Sequence, residues 1–524
     1  MRLLLAGLLV AAASPAIAQP AASRFWRPEE RTLVTDLSRV TAVAATPLVV
    51  YGATPEALAV YDRSGELRDV LGTLDGYPGG LVTAMAADPA DDTAWLGGIA
   101  GWAVYQPLGR RFTGGPLPGP ADQVVLDQRD PSRGAYFHTA AGWFLVRRGG
   151  LAAEPAGDVP APGRRLGSLS AAELMARAPS FDLVRLQIER DEMLRTWRLT
   201  SAAATPASEE LFVATDGNGL FRVGMPGYAV ERLPAGLLAA PTSALAVAGD
   251  QVCAASDPRY ATARRGITCF RAGPEHFTYI EGGSPAGLAA RGVRRLLLTP
   301  NALWMAGDQG ALRMDRRSGE ARPVGRRQGL PSDDVRALAQ TSGGVWIGTS
   351  RGLADAPDTG AVPLVAASLT LDAAVLALAV RADTLWIGTA VGPYVLVPGG
   401  QSPVPAAPGQ PALAGPVVAL ALDGDTLLVA TDARLAWRAA DAWHVLPMGS
   451  PVGRVTALAS DPDGFWVAGA LGLALFQPGR NVWRSLTAPG DIPQPVSDVA
   501  ATRDDVWAAT PAGVVRIERR VFLP

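Results

Sequence analysis

A Trp-x-Gly phrase returns along this 524-residue chain at intervals near forty residues, and no other feature restricts its fold as tightly. It stands at Trp346-Ile-Gly348 in "GVWIGTSRGL" and at Trp386-Ile-Gly388 in "TLWIGTAVG", and "GFWVAGALGL" repeats it loosely around Trp466. With Trp346 as marker, equivalents fall at Val49, Trp95, Tyr136, Phe212, Val252, Trp304, Trp386, Leu428, Trp466 and Trp507. From Trp304 onward the spacings are 42, 40, 42, 38 and 41, whereas Tyr136 to Phe212 spans 76, marking a decayed unit or an insertion.

Each unit follows one grammar. A short strand of small apolar residues comes first, as in "VRALAQ" at Val335 or "VLALAV" at Val375. The tryptophan strand follows, then a glycine near a tight turn, a third strand such as "GLALFQ", and a less regular fourth such as "NVWRSL". Short strands at this spacing, separated by turn residues and with no βαβ rhythm, predict an all-β repeat. Four antiparallel strands per forty residues is the period of a β-propeller blade. Side chains alternate along a strand, so Trp346 and Gly348 share a face. The tryptophan is expected to fill the wedge between blades, while the glycine admits a neighbouring backbone. Trp95, Trp304, Trp386 with Gly388, Trp466 and Trp507 take the same structural roles, and Gly352 supplies backbone freedom at the hairpin.

The stretch "GLPSDDVRALAQTSGGVWIGTSRGL", Gly329 to Leu353, resembles the repeat of the two-component-regulator propeller family. One blade matches over its whole length, and the Trp-x-Gly core recurs well in five or six others. The resemblance implies a propeller of the kind found in periplasmic sensor regions of hybrid histidine kinases, with polysaccharide or oligosaccharide sensing as the associated role. Stand-alone exported relatives exist, some implicated in surface assembly or secretion. This chain reaches Pro524 without a membrane helix, kinase or DNA-binding segment, so a stand-alone exported member is expected.

Eleven markers exceed the four to eight blades of a single ring, which predicts two propellers, residues 24–276 and 277–524, divided near Phe277–Arg291, with a nested arrangement or one large ring as the alternatives. The segment "RFWRPEERTLV" from Arg24 resembles a fourth strand and could complete a blade built from later residues, removing an open sheet edge. Within the long interval, "SLSAAELMARAP" predicts a helical insertion over 168–179, with Ser170 and Glu173 forming a capping box and Pro179 ending it. The following "LVRLQIERDEMLRTW" mixes alternating and helical spacing. The excursion is read either as packed on a propeller rim or as a lid or docking element.

"MRLLLAGLLVAAASPAIAQ" reads as a secretory signal cleaved after Ala18, too short for a membrane span. A periplasmic or secreted protein is expected. The 47 basic residues are all arginine, scattered, and nearly balanced by 49 acidic ones; no nucleic-acid footprint emerges.

Little chemistry is concentrated in the sequence. His138 stands in the Gly348 column and reads as packing; His276 and His444 fall on outer strands. No zinc-like spacing occurs, and "DPADD" at Asp88–Asp92 and "SDPDG" at Ser460 read as turns rather than calcium loops. No catalytic residue, metal or cofactor is expected. Cys253 and Cys269, the two cysteines, fall on neighbouring strands; in an oxidising compartment they suggest a disulfide, the alternative being two buried thiols. Between them lie Arg259, Tyr260, Arg264 and Arg265, a combination suited to carbohydrate or acidic partners. The expected function is non-enzymatic binding or scaffolding of a glycan or an envelope protein. The alternative is a polysaccharide hydrolase or lyase with paired carboxylates at a channel mouth.

Overall fold

The computed structural model describes residues 26–522 other than 178–180, 205–209, 225–228, 261–263, 272–275, 283–291, 361–366 and 447–448. The segment expected to be a secretory signal, Pro179 and part of the expected division therefore lie outside the described residues. Among the described residues eleven antiparallel sheets are present, nine four-stranded and two five-stranded. They are called blades 1 to 11 in chain order: 42–72, 82–115, 123–155, 199–232, 242–281, 293–324, 335–370, 375–405, 417–445, 455–486 and 498–518. No helix among the described residues is long and apolar enough to cross a membrane.

The plug column dictates which blade lies beside which. Trp304 packs into blade 7 against Val335 and Ile347, Trp346 into blade 8 against Val375 and Ile387, and Trp466 into blade 11 against Val499 and Val506. Trp507 of blade 11 turns back onto Leu245 and Val252 of blade 5, so blades 5 to 11 form a closed ring of seven, and their first strands neighbour one another all the way round. In the same manner Trp95 plugs into blade 3, while Phe212 of blade 4 reaches back to Val43 and Val50 of blade 1. Blades 4, 1, 2 and 3 are consecutive neighbours in a second unit.

Trp95, Trp304, Trp466 and Trp507 are fully buried, whereas Trp346 and Trp386 are half-buried. At Gly348 the close neighbour is a side chain rather than the expected backbone. A Cβ there would stand 2.5 Å from Val375 Cγ1, and one at Gly388 would stand 2.7 Å from Val417 Cγ1. Overpacking of this kind predicts that Gly348→Ala costs about 1 kcal/mol and Gly348→Val about 3 kcal/mol in chemical unfolding. Gly352 has φ +142°, and a Cβ would meet Leu369 O at 2.0 Å, so the hairpin admits only glycine.

Two markers shift. Cross-strand register puts Tyr51, not Val49, opposite Ala44, and Cys253, not Val252, opposite Ala246, where Trp346 stands opposite Ala339. Tyr51 is a buried aromatic that packs into blade 2. In blade 5 the plug is the Cys253–Cys269 disulfide, packed on Val293 and Leu296 of blade 6. The bridge therefore occupies the position that a tryptophan fills elsewhere.

The expected division near 277–291 is corrected. Blade 5 packs between blades 6 and 11 and belongs with the later blades. The opening strand β1 (Arg31–Val34) also leaves the first unit: it pairs antiparallel with 513–518 and becomes the outermost strand of blade 11. The chain thus crosses between the units twice, and the crossings pair with each other, Leu37 N donating to Ala235 O (2.9 Å) and Leu237 N to Thr35 O (2.8 Å). The spacing of blades is local information, but their grouping depends on which face each plug meets.

The long interval holds an insertion with two helices, α1 (Ala171–Arg177) and α2 (Asp182–Glu189). The capping box forms: Ser170 N and Oγ both donate to Glu173 Oε2 at 2.9 Å, and Glu173 N donates to Ser170 Oγ at 3.3 Å. Leu174, Phe181, Val184 and Ile188 cover the face of blade 4 that no blade meets. Ala156 and Val159 cover the corresponding face of blade 3 around Tyr136. Residues 165–170 pair with the inner strands of blades 3 and 4, and Ser168 N donates to Met85 O of blade 2 at 2.8 Å. The excursion therefore enters the four-bladed unit at 165–170, beside the inner strands, and its helices cover the open face of blade 4.

Candidate functional site

A backbone irregularity aims side chains at the axis of the seven-bladed ring. In the first strand of blades 5 to 10 the register slips by one residue, as between Val293 and Arg295 or Val335 and Ala337. A bulge leaves one residue unpaired and redirects it. The bulged residues are Ser243, Arg294, Arg336, Leu376, Val418 and Thr456, and Ser497 of blade 11 completes the circle. All seven line one cavity of about 790 Å³ at the end of the ring where the first strands begin.

The chemistry around this mouth is uneven. Arg259, Arg294, Arg295, Arg336 and Arg454 bring five guanidinium groups to it. Asp334 bridges two of them, with Arg294 Nη1 at 2.7 Å and Arg336 Nε and Nη2 at 3.0 and 2.7 Å. Asp257 is held by Arg259 through Nε and Nη2, the latter at 2.6 Å. Burial opposes ionisation of both carboxyls, but their arginine partners hold them below the usual carboxylate range. Arg454 makes no ion pair among the described residues. Asp498 lies in the wall between blades 11 and 5, where its oxygens accept Leu245 N (2.9 Å) and Val499 N (3.0 Å). Burial pushes its carboxyl up, with Arg295 acting in the opposite direction.

The arginine–tyrosine loop is divided by the fold. Arg259 reaches the mouth, and Tyr260 is exposed. Arg264 turns inward, buried over the Tyr279 ring and paired with Glu281 at 3.6 Å. The Arg265 carbonyl accepts Gly282 N at 2.7 Å. His138 Nδ1 lies 2.7 Å from Asp122 Oδ1 and its ring packs on Trp143; His276 is exposed, and His444 is exposed and stacked on Trp437. In "DPADD", Asp88 and Asp91 pair with Arg148, and Asp92 accepts the Thr46 hydroxyl. Asp461 of "SDPDG" accepts Trp466 Nε1 at 2.8 Å and pairs with Arg519 at 2.7 Å. Among the described residues no three potential metal ligands converge. The bulged arginines were missed because a bulge breaks the alternation on which strand reading rests; "VRRLLL" and "VRALAQ" look like ordinary strand starts.

A second cavity, of about 360 Å³, lies at the crossing segments, lined among others by Asp36, Glu56, Trp197 and Arg264. Burial, reinforced by Asp36, pushes the Glu56 carboxyl up to about 7. The folded state then keeps a proton that the unfolded chain releases in the ordinary glutamate range. Stability falls as the pH rises through that interval and levels off above about 7. Glu56→Gln is expected to raise Tm at pH 8 by on the order of 5 °C and to leave it unchanged near pH 4, below the ordinary glutamate value, as read by thermal unfolding at the two pH values.

No protein-family model matches the chain, and no curated protein matches it. Among solved structures it is similar to PorZ, described as an essential surface component of the type-IX secretion system of Porphyromonas gingivalis, at 11% identity and TM-score 0.53 over 93% of this chain and 87% of that one. It is also similar to the extracellular domain of the hybrid two-component system protein BT4673 of B. thetaiotaomicron (12% identity, TM-score 0.46, 92% and 70% covered). A further likeness is to virginiamycin B lyase of Staphylococcus aureus (12%, 0.43, 53% and 95%). At such identities the likeness is one of fold: the chain is a β-propeller protein whose described residues form eleven blades, seven of them in one closed ring.

Proposed function

We propose that this chain is an exported, non-enzymatic propeller that binds a glycan or an envelope protein through the mouth of its seven-bladed ring. The observation that carries the reading is the circle of six bulged side chains from blades 5 to 10, completed by Ser497 at the start of blade 11, opening on a cavity with five arginines. Such a preformed concave site with a few convergent polar groups suits recognition. The two carboxylates at the mouth are each bound by arginine and favour the ionised form, which suits anchoring of guanidinium groups rather than proton donation. The description of PorZ as a secretion-system surface component is why an envelope protein stands beside a glycan as partner.

Glycan-array screening of the protein, together with pull-down from envelope extracts, tests this. A specific glycan or a single envelope protein, retained by the native chain and lost on Arg336→Ala, is the expected result. Turnover of a polysaccharide by the purified protein, or binding that ignores Arg336, would contradict it.

A further inference from the structure

We infer that the seven-bladed mouth takes an acidic sugar, its carboxylate held by the Arg294–Asp334–Arg336 cluster and its apolar ring face laid on Leu376 and Val418. This rests on the reading of the mouth as the binding site and names the chemistry of the ligand.

Three chemistries are arranged by sector around the axis. Blades 6 and 7 present Arg294 and Arg336, fixed side by side by the single carboxylate of Asp334. Two guanidinium groups sharing one carboxylate keep an excess positive charge and N–H donors to spare, in an orientation already set. Such a pair matches a planar carboxylate better than lysine would, and its ordering cost is met before binding. Blades 8 and 9 present half-buried Leu376 and Val418, the aliphatic surface that the C–H face of a pyranose ring packs upon. Blades 10, 11 and 5 bring Thr456, Ser497 and Ser243 to the lining; Ser243 Oγ is buried and Thr456 Oγ1 already donates to Val496 O, so Ser497, with Thr456 as acceptor, is the partner this sector offers to sugar hydroxyls. A uronic acid unit carries all three features on one ring. A simple anion uses the first sector alone, and a neutral sugar leaves the positive charge in excess of Asp334 unmatched. The cavity of about 790 Å³ lies in the range of small-ligand sites and admits a short oligosaccharide.

Titration calorimetry with trimers of galacturonate, glucuronate, mannuronate and guluronate, each beside its neutral methyl ester, tests the inference. Monomeric uronates distinguish a free sugar acid from a polymer segment. At least one acid trimer is expected to bind, with its ester weaker by about tenfold or more. Arg294→Gln with Arg336→Gln should weaken the acid form by at least the same factor without altering the ester. Leu376→Ser should weaken both forms, and Arg322→Gln on an outer strand should change neither. Unchanged Tm in the variants separates loss of binding from loss of fold. Equal affinity for acid and ester, no binding by any member of the panel, or affinity indifferent to Arg294 and Arg336 would overturn the inference. Capture of a neutral glycan or an envelope protein at the mouth would overturn the acidic-sugar assignment and leave the binding function standing. Absence of any ligand at the mouth would remove both.

Discussion

Deletion of residues 26–34 is expected to destabilise the seven-bladed ring by about 5 kcal/mol or more, lowering Tm by on the order of 10 °C and promoting aggregation. Strand β1 is the outer strand of blade 11, in register from Arg31 opposite Ile517 to Val34 opposite Val514. Val34 is buried, and Trp26 and Leu33 pack against the blade 11 core. The segment is also tied down by polar contacts. Trp26 Nε1 donates to Asp491 Oδ1 at 3.1 Å, and the Arg31 guanidinium donates to the carbonyls of Gly490 and Asp491 at 2.8 and 3.0 Å. Its loss exposes apolar surface and an unpaired edge that can recruit other chains. A synthetic peptide of residues 26–36 added to the deleted protein should recover part of the lost Tm. Unchanged stability after deletion would mean that the ring does not need this strand.

Trp466→Ala is expected to cost about 3–5 kcal/mol in chemical unfolding. The indole is fully buried, meets Phe522 edge to face at 4.5 Å, and donates Nε1 to Asp461, whose carboxylate is itself buried. Removal leaves a cavity between blades 10 and 11 and takes one donor from a buried charge. Trp346 is half-buried at the equivalent place between blades 7 and 8, so Trp346→Ala should cost about half as much. Equal costs at the two positions, or less than about 1 kcal/mol at Trp466, would contradict the role of the column as inter-blade plugs.

The plug column explains which parts of the fold were legible. Wedges between radial sheets need a large side chain at a fixed place, so Trp304, Trp346 and Trp466 announce their blades, and even Phe212 and Leu428 keep the spacing. The column was misplaced only where the filler changed, to Tyr51 in blade 1 and to a disulfide at Cys253 in blade 5. The completing role of the segment that holds β1 was readable from its likeness to "NVWRSL". The grouping of blades was not, because nothing in blade 4 records that Phe212 faces blade 1, nor in blade 11 that Trp507 faces blade 5. The mouth was hidden for a different reason. Arg294 and Arg336 sit at bulges, where alternation no longer tells which side of the strand a residue occupies. Only Arg259 was singled out, through its place between the two cysteines.

Closure of the seven-bladed ring by β1 is tested most directly by a cysteine pair placed at its register. With Thr32→Cys and Arg516→Cys, residues that face each other across the two strands, oxidation followed by peptide mapping should yield a 32–516 bridge in most molecules. Thr32→Cys with Val515→Cys, one residue out of register, should yield little. Absence of the 32–516 bridge while Cys253–Cys269 remains intact, or a 32–515 bridge formed in equal yield, would show that the ring is closed in some other way.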